Sequence, residues 1–284
     1  MIAPAQDIVF EFDRNFGLEL EFSKNSNREF LSNIISKSFP NDIIRIAQWE
    51  KNVNNIEWVC KSDSSCGYEI ASPVLNCSND LEKIRSLVLA LRENGAKISS
   101  KCGIHVHIEC KDFNVHQLAK IISYWIKCEA IIFCMFPKYR RLSKYCRPLL
   151  NNSALRLDTK HTPKQIIYMN SKRKNKSLNI RGYKKRGTIE FRLLEGVLRA
   201  DDIVTWTKFC LYFFKNAQAY PKPKDLKIIT LFDFWEFMKF DKESSDDNIE
   251  EIKMWILKRL KRNCPVSIFR NQADRISEQN NYDI

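Results

Sequence analysis

Three short stretches of the chain alternate between apolar and polar residues, which is the period of a β-strand. They read "FGLELEF" over residues 16–22, "GIHVHIE" over 103–109 and "TIEFRLL" over 188–194. In each stretch one face is apolar and can pack against helices, whereas the opposite face carries ionisable side chains. The sequence therefore predicts three strands with the same two-sided design.

Other stretches have the 3.6-residue period of amphipathic helices. "SNREFLSNIISKSFP" begins with a capping-box pair, Ser26 and Glu29, and ends before Pro40. "NDLEKIRSLVLALRENG" carries one apolar stripe and ends at Gly95, a natural helix terminator. Further helices are predicted from Val115, over "TPKQIIYMN" with Thr162 as its cap, and from about Ala200.

The clearest break in the chain is "YPKPKD" at residues 220–225. Beyond it, "LFDFWEFMKF" and "NIEEIKMWILKRLKR" predict two helices, and the polar residues that follow predict a frayed tail. We therefore expect a main domain over residues 1–219 and a small C-terminal helical extension over 220–284. Strands and helices do not alternate regularly, which favours an α+β fold over a doubly wound sheet.

Composition narrows the class of protein. The chain has 284 residues, of which 44% are hydrophobic and 12% aromatic, as in a globular protein. Its longest apolar run, "AIIFCMF", is too short to span a bilayer, and its N-terminus lacks the pattern of a signal peptide. The ten cysteines include no CxxC pair. We expect free thiols in a reducing compartment, and hence a cytoplasmic protein without a membrane partner.

The net charge of +13 is concentrated in two clusters. "KRKNKSLNIRGYKKR", residues 172–186, holds eight lysines or arginines and no acid, and "KYRRLSKYCR", residues 138–147, holds five. Such clusters are either solvated loop faces or binding surfaces for polyanions such as nucleic acid or nucleotide phosphates.

The stretch "KCGIHVHIEC", residues 101–110, raises the question of a zinc site. In a regular strand His105 and His107 share one face, whereas Cys102 and Cys110 project from the other. Because a zinc site needs its ligands to converge on one point, this parity argues against zinc.

The polar faces of the three predicted strands read Glu-x-Glu, His-x-His-x-Glu and Glu-x-Arg. If these strands are neighbours, their carboxylates crowd together and repel unless cations intervene. Hard divalent metals with oxygen ligands are the usual solution, and Mg²⁺ commonly binds together with substrate phosphates. The alternative is that the acids are solvated strand positions and that His107 is a buried histidine without a catalytic role.

Several segments in order resemble the amidoligase family, a branch of the glutamine synthetase and glutamate–cysteine ligase superfamily of carboxylate–amine ligases. The resemblance runs from Phe16 to about Phe214. It rests on "FGLELEF", "WVCKSDSSCGYEIASPVL", "KCGIHVHIE", "RLSKYC", "KSLNI" and "TIEFRLLEGVL". It implies a glutamine-synthetase-like catalytic fold with a curved, mostly antiparallel sheet packed by helices.

The resemblance also implies roles for particular residues, all with Mg²⁺ or Mn²⁺ and ATP as cofactors. His107 matches the histidine near the ATP phosphates, and Arg192 the arginine that steadies the phosphate or acyl phosphate. Asp63 and Arg141 match catalytic motif regions, and Asn179 is a further candidate for nucleotide binding. The residues matching metal ligands are Glu19, Glu21, Glu69, His105 and Glu190.

The implied reaction joins a carboxylate and an amine, either of them carried by a small molecule, a peptide or a protein. A carboxylate oxygen attacks the γ-phosphate of ATP, and the amine then displaces phosphate from the acyl phosphate. Two other hypotheses are a nucleic-acid-binding protein that uses the basic clusters with Tyr139, Tyr145 and Tyr183 as stacking groups, and a catalytically silent family member that serves as an interaction module.

Overall fold

The computed structural model describes residues 13–48, 56–149, 162–220, 227–241, 244, 246–280 and 282. Most of the predicted break at 220–225 lies outside these residues. The strands are β1 Phe16–Ser23, β2 Ile44–Ala47, β3 Trp58–Asp63, β4 Gly67–Ala71, β5 Gly103–Glu109, β6 Leu178–Asn179 and β7 Thr188–Glu195. The helices are α1 Arg28–Ser38, α2 Ser78–Glu93, α3 Val115–Cys134, α4 Lys138–Arg141, α5 Pro163–Ser171, α6 Tyr183–Arg186, α7 Ala200–Ala219, α8 Leu231–Phe237, α9 Asp247–Asn263 and α10 Ser267–Gln279.

The seven strands form one sheet in the order β2-β3-β4-β1-β5-β7-β6. Every neighbouring pair is antiparallel except β2 and β3. This confirms the predicted mixture of helices with a mostly antiparallel sheet. Within the described residues the sheet is open and uncurled, because its short edge strands β2 and β6 do not pair with each other. The curvature implied by the resemblance stays a prediction.

The three strands predicted from alternation are all present and adjacent, with β1 between β4 and β5 and with β5 beside β7. Their apolar faces are buried, as at Leu20, Val106 and Phe191. Phe191 packs edge-to-face on Trp125 of α3, with ring centroids 5.1 Å apart. The hydrophobic core therefore lies between this face of the sheet and the helices, and the ionisable face is directed away from it.

The predicted helices are confirmed, but the N-cap residue predicted for the first helix is wrong. Asn27, not Ser26, caps α1, and its side chain accepts from the amide of Phe30. Ser26 is buried, and its hydroxyl accepts a 2.7 Å hydrogen bond from the amide of Lys97 instead. Gly95, just after α2, has a φ of 79°, the left-handed conformation expected of a helix terminator.

The polar C-terminal residues are not a frayed tail, because they form the helix α10. Its Ala273 and Ile276 are buried in the hydrophobic core, and Phe269 packs against it. None of the helices in the described part of the chain combines the length and hydrophobicity needed to cross a bilayer. All ten cysteines are free thiols, in line with the expectation from their spacing.

Candidate functional site

The registers of β1, β4, β5 and β7 place the ionisable side chains opposite one another. Glu19 pairs with His105, Glu21 with Glu69, and His107 with Glu190. Because facing residues of neighbouring strands point to the same side of a sheet, these pairs build one polar surface at the centre of the sheet.

His105 stands at the middle of this surface. Its Nδ1 lies 3.1 Å from Glu19 Oε2 and 3.4 Å from Glu190 Oε1. Its Nε2 lies 3.6 Å from Glu21 Oε1. Burial and the charge of Arg192 lower the pKa of His105 to about 4. The ring is therefore neutral near pH 7, which is the state in which a histidine can bind a metal.

His107 lies one step along β5. Its Nε2 is 3.4 Å from Glu19 Oε1 and 4.0 Å from Glu190 Oε1. This buried nitrogen has no aligned hydrogen bond to any group in the described residues. Burial opposes protonation, but the charges of Glu19 and Glu190 outweigh it and raise the pKa of His107.

Glu21 belongs to a second group of side chains. One of its oxygens accepts a 2.6 Å hydrogen bond from the amide of Gly103. An oxygen of Glu21, an oxygen of Asp63 and the sulfur of Cys66 lie within 4.8 Å of one another. Burial and the nearby charges of Glu69 and Asp63 raise the pKa of Glu21 well above its usual value.

Asp63 is held in place by its own turn. Its Oδ1 accepts from the amides of Ser65 at 2.7 Å and of Cys66 at 3.0 Å. Burial opposes ionisation, but a hydrogen bond from the hydroxyl of Ser65, together with these amides, prevails and lowers the pKa of Asp63. The structure thus brings Asp63 to the edge of the carboxylate surface, beside Glu21.

Glu69 is paired with a lysine that the sequence arguments did not single out. Lys61, which faces Glu69 from β3, lies 2.7 Å from Glu69 Oε1 and 3.9 Å from Glu19 Oε1. Burial and the charge of Glu19 nevertheless raise the pKa of Glu69 to about 7. One cation is therefore already built into this end of the surface.

Arg192 and Asn179 hold Glu190 from two sides. The guanidinium of Arg192 forms an ion pair with Glu190 Oε1. The side-chain amide of Asn179 donates to Glu190 Oε2 at 2.5 Å, and its oxygen accepts from the amide of Arg181 at 3.1 Å. Asn179 therefore orients Glu190, and its predicted contact with nucleotide stays a prediction.

The donor set fits a hard divalent cation. Glu19, His105 and Glu190 each offer one ligand atom, and these atoms lie within 4.8 Å of one another. The raised pKa of Glu21 indicates a surface that lacks positive charge. Carboxylate oxygens and a neutral imidazole suit Mg²⁺ or Mn²⁺. Cys102 and Cys110 are buried outside both ligand groups, as strand parity indicated.

Arg141 is the one predicted site residue that the structure does not bring to this surface. It lies half-buried at the end of α4, whereas the preceding Arg140 is 1% exposed. Arg140 donates to the carbonyl oxygens of Arg192 at 2.6 Å, Leu193 at 3.1 Å and Cys102 at 3.3 Å. It thereby ties β7 to the start of β5.

Two side chains of the site were thus missed, Lys61 and Arg140. The signal for Lys61 was strand parity, because Lys61 and Asp63 occupy the same face of β3. Arg140 had no such signal, since a one-turn helix does not reveal which of two adjacent arginines points inward. Glu195, at the end of β7, binds Arg259 rather than the site.

A comparison with protein families finds a match over residues 13–214 to the family described as "putative amidoligase enzyme". This span contains all seven strands of the sheet and all ten predicted site residues. A search of the curated proteins finds no match.

Proposed function

Because the chain belongs to the amidoligase family, we propose that it is an ATP- and Mg²⁺-dependent carboxylate–amine ligase that forms an amide through an acyl phosphate. The observation that carries the proposal is the central surface of the sheet. There Glu19, His105 and Glu190 converge beside Arg192, within the span matched by the family. We also propose that the fold is related to that of glutamine synthetase.

Five residues would hold the divalent cations: Glu19, Glu21, Glu69, His105 and Glu190. A bound Mg²⁺ supplies positive charge that offsets the charge of the phosphate oxygens. Lys61 keeps Glu69 and Glu19 partly neutralised at one end of this set. Asn179 fixes the orientation of Glu190 at the other end.

Arg192 is the residue proposed to contact the transferred phosphoryl group. Its planar guanidinium matches the geometry of phosphate oxygens. In this structure it is paired with Glu190 and donates from Nε to the carbonyl oxygen of Tyr145 at 3.4 Å. Its position is therefore set by groups on both sides before any substrate binds, which favours preorganised stabilisation of developing charge.

In the proposed reaction, a carboxylate oxygen attacks the γ-phosphorus of ATP and ADP leaves. The amine nitrogen then attacks the acyl carbon, phosphate leaves, and the nitrogen loses a proton. His107 lies beside Glu19 and Glu190 and is a candidate to bind the phosphates.

The first test is a thermal melt with MgCl₂ and a non-hydrolysable ATP analogue, for wild type, Glu19→Gln and the control Glu93→Gln. Glu93 is exposed at the end of α2, a helix that contributes none of the predicted site residues. Ligand at about 100 times its Kd should add about 2.7 kcal/mol and shift the Tm by several degrees in wild type and in the control.

The expected result is loss of the metal-dependent shift in Glu19→Gln alone. An equal shift in all three proteins would place nucleotide binding away from these carboxylates, and no shift at saturating nucleotide would reject the ligase. A positive result leads to a screen in which ADP release must require both a carboxylate and an amine, with the amide product identified by its mass.

A further inference from the structure

Two basic segments that are separate in sequence lie side by side in the structure. Arg147 pairs with Lys176 in an isolated parallel β-bridge. The amide of Arg147 donates to the carbonyl oxygen of Asn175 at 3.1 Å, and the amide of Ser177 donates to the carbonyl oxygen of Arg147 at 2.8 Å. Residues 138–149 and 172–187 are therefore neighbours at the edge of the sheet formed by strand β6, and we call the surface of these two segments the basic edge.

The basic edge is rich in exposed positive charge. Neither segment contains an acidic residue. Lys111 and Arg85, by contrast, are cations that each pair with a carboxylate elsewhere on the protein. Ten cations of the basic edge are exposed, and none of them forms an ion pair with a carboxylate within the described residues. They are Lys138, Lys144, Arg147, Lys172, Arg173, Lys174, Arg181, Lys184, Lys185 and Arg186.

Uncompensated charge of one sign raises the free energy of the folded protein through self-repulsion, and an anionic partner relieves it. The cations belong to two segments that are distant in sequence and adjacent in the fold. The concentration of positive charge is therefore a property of the folded structure and not of one lysine-rich loop. Charge complementarity therefore indicates an extended anion as the occupant of this edge.

The basic edge is continuous with the carboxylate site. Strand β6 pairs with β7 so that Asn179 faces Glu190. The amide of Arg192 donates to the carbonyl oxygen of Ser177 at 2.8 Å. An anion lying along the basic edge would thus extend to the metal ligands.

Two of the three tyrosines of the basic edge are poorly placed to stack on nucleic-acid bases. The hydroxyl of Tyr183 is bound to the carbonyl oxygen of Phe113, and its side chain is half-buried. Tyr145 is half-buried, with the ammonium of Lys144 5.2 Å from its ring centroid. Tyr139 is 48% exposed and is the one open ring of the three. A single open tyrosine does not provide the successive aromatic platforms on which bases of a single strand stack, so the charge of this edge favours a flexible carboxylate polymer over single-stranded nucleic acid.

We propose that the basic edge binds an acidic polypeptide, a Glu- or Asp-rich segment that contacts the exposed lysines and arginines while one of its carboxylates reaches the site. Binding to the edge is independent of the proposed function, whereas the identity of the bound segment as the carboxylate substrate rests on it. A peptide of this kind presents both the carboxylate to be activated and the neighbouring charges that hold it in register.

The test measures fluorescence anisotropy with a labelled oligoglutamate peptide, its oligoglutamine counterpart and single-stranded DNA of matched length, all in EDTA without nucleotide. The test variant carries Lys174→Ser, Lys184→Ser and Lys185→Ser. The control variant carries Lys24→Ser, Lys37→Ser and Lys97→Ser, which remove the same charge from exposed positions outside both basic segments.

We expect wild type to prefer oligoglutamate to both other probes, with binding weakened by added salt. The three substitutions in the basic edge should raise the Kd by about tenfold, and the control substitutions should leave it within about twofold. Tighter binding of DNA, equal losses in both variants, or no binding by wild type would each overturn the proposal.

The result also separates this proposal from the ligase proposal, because EDTA and the absence of nucleotide make the binding independent of turnover. Oligoglutamate binding with no metal-dependent nucleotide shift would support the docking surface and reject the ligase. A metal-dependent rise in Tm with nucleotide, without binding of oligoglutamate, would support the ligase and reject the docking surface.

Discussion

Glu21 is held as a buried carboxylate in surroundings that oppose its charge. Its pKa is raised well above the usual value by burial and by the neighbouring Glu69 and Asp63, and the charges of Arg140 and Arg192 offset this in part. A group that lowers the stability of the folded protein is typical of a functional site, where stability is exchanged for ligand binding.

Glu21→Gln should therefore stabilise the metal-free protein. The amide removes the repulsion from Glu69 and Asp63, and its oxygen can still accept the hydrogen bond from the amide of Gly103. Because the folded pKa of Glu21 is raised, its ionisation destabilises the protein as pH rises above about 4.5, the usual value for Glu. At pH 8 we expect a gain of about 0.5–2 kcal/mol in the free energy of unfolding, measured by urea denaturation in EDTA.

The gain should shrink at low pH, where the carboxyl is protonated in both the folded and the unfolded protein. The same variant should lose the stabilisation that MgCl₂ and nucleotide give to wild type. A Glu21→Gln protein that is less stable than wild type in EDTA would show that Glu21 has a structural role.

Substitution of Arg140 should lower the free energy of unfolding much more than the same substitution of the adjacent Arg141. Arg140 donates to three backbone carbonyl oxygens, and one ammonium group cannot span the positions that its guanidinium reaches. Arg140→Lys should lower the free energy of unfolding by about 1–3 kcal/mol, because buried carbonyls lose their donors. Arg141→Lys should change it by less than about 0.5 kcal/mol. Equal effects in urea denaturation would contradict this assignment.

At the same scale, strand parity was sufficient to predict which acids and histidines share one face. Parity does not predict which strands are adjacent, and a cross-strand pair such as Glu21 and Glu69 depends on the strand order of the sheet. It also could not detect Arg140, whose donors reach backbone oxygens that a sequence does not locate. The predicted roles of Arg192, Asn179 and His107 in binding nucleotide stay predictions.

Among the elements, the end of β7 is fixed by a buried ion pair with α9. Both oxygens of Glu195 accept from Arg259 Nη2 at 2.6 Å, and Arg259 Nε donates to the carbonyl oxygen of Met135 at 3.0 Å. Arg259 also lies 3.4 Å from Asp202 of α7. One guanidinium thus connects β7, α7 and the end of α3.

Replacing one partner of this ion pair should lower the free energy of unfolding by far more than replacing both partners. Glu195→Met leaves the charge of Arg259 buried with a weaker partner and should cost about 3–5 kcal/mol. Glu195→Met combined with Arg259→Met should cost much less than the sum of the single substitutions, as measured by a double-mutant cycle in urea. Additive effects would show that the two side chains do not depend on each other.

Long amphipathic elements were predicted well and short ones were not. α2, α3 and α7 each show a sustained apolar stripe that tertiary contacts reinforce. β2 has four residues and β6 only two, so neither is long enough to show an alternating pattern. α10 was missed because its polar surface masks the few side chains that dock it.

For the whole molecule, the packing of α9 bears on the predicted boundary at residue 219. Five of its apolar side chains are completely buried, each at 0% exposure: Ile249, Ile252, Ile256, Leu257 and Leu260. Burial of such a set contributes on the order of 10 kcal/mol. That is comparable to the whole net stability of a typical domain, about 5–15 kcal/mol.

A chain ending at residue 219 should therefore fail to fold, although it retains all ten predicted site residues. It loses the Arg259 contacts to Glu195 and Met135 and exposes the face of α7 that α9 covers. A chain ending at residue 265 lacks only α10 and the short stretch after it, and should fold with reduced stability. Near-ultraviolet circular dichroism and urea denaturation would distinguish the two. A cooperative transition in the shorter chain, together with a Mg²⁺- and nucleotide-dependent rise in its Tm, would instead establish residues 220–284 as a separable extension, because the site would then be complete without them.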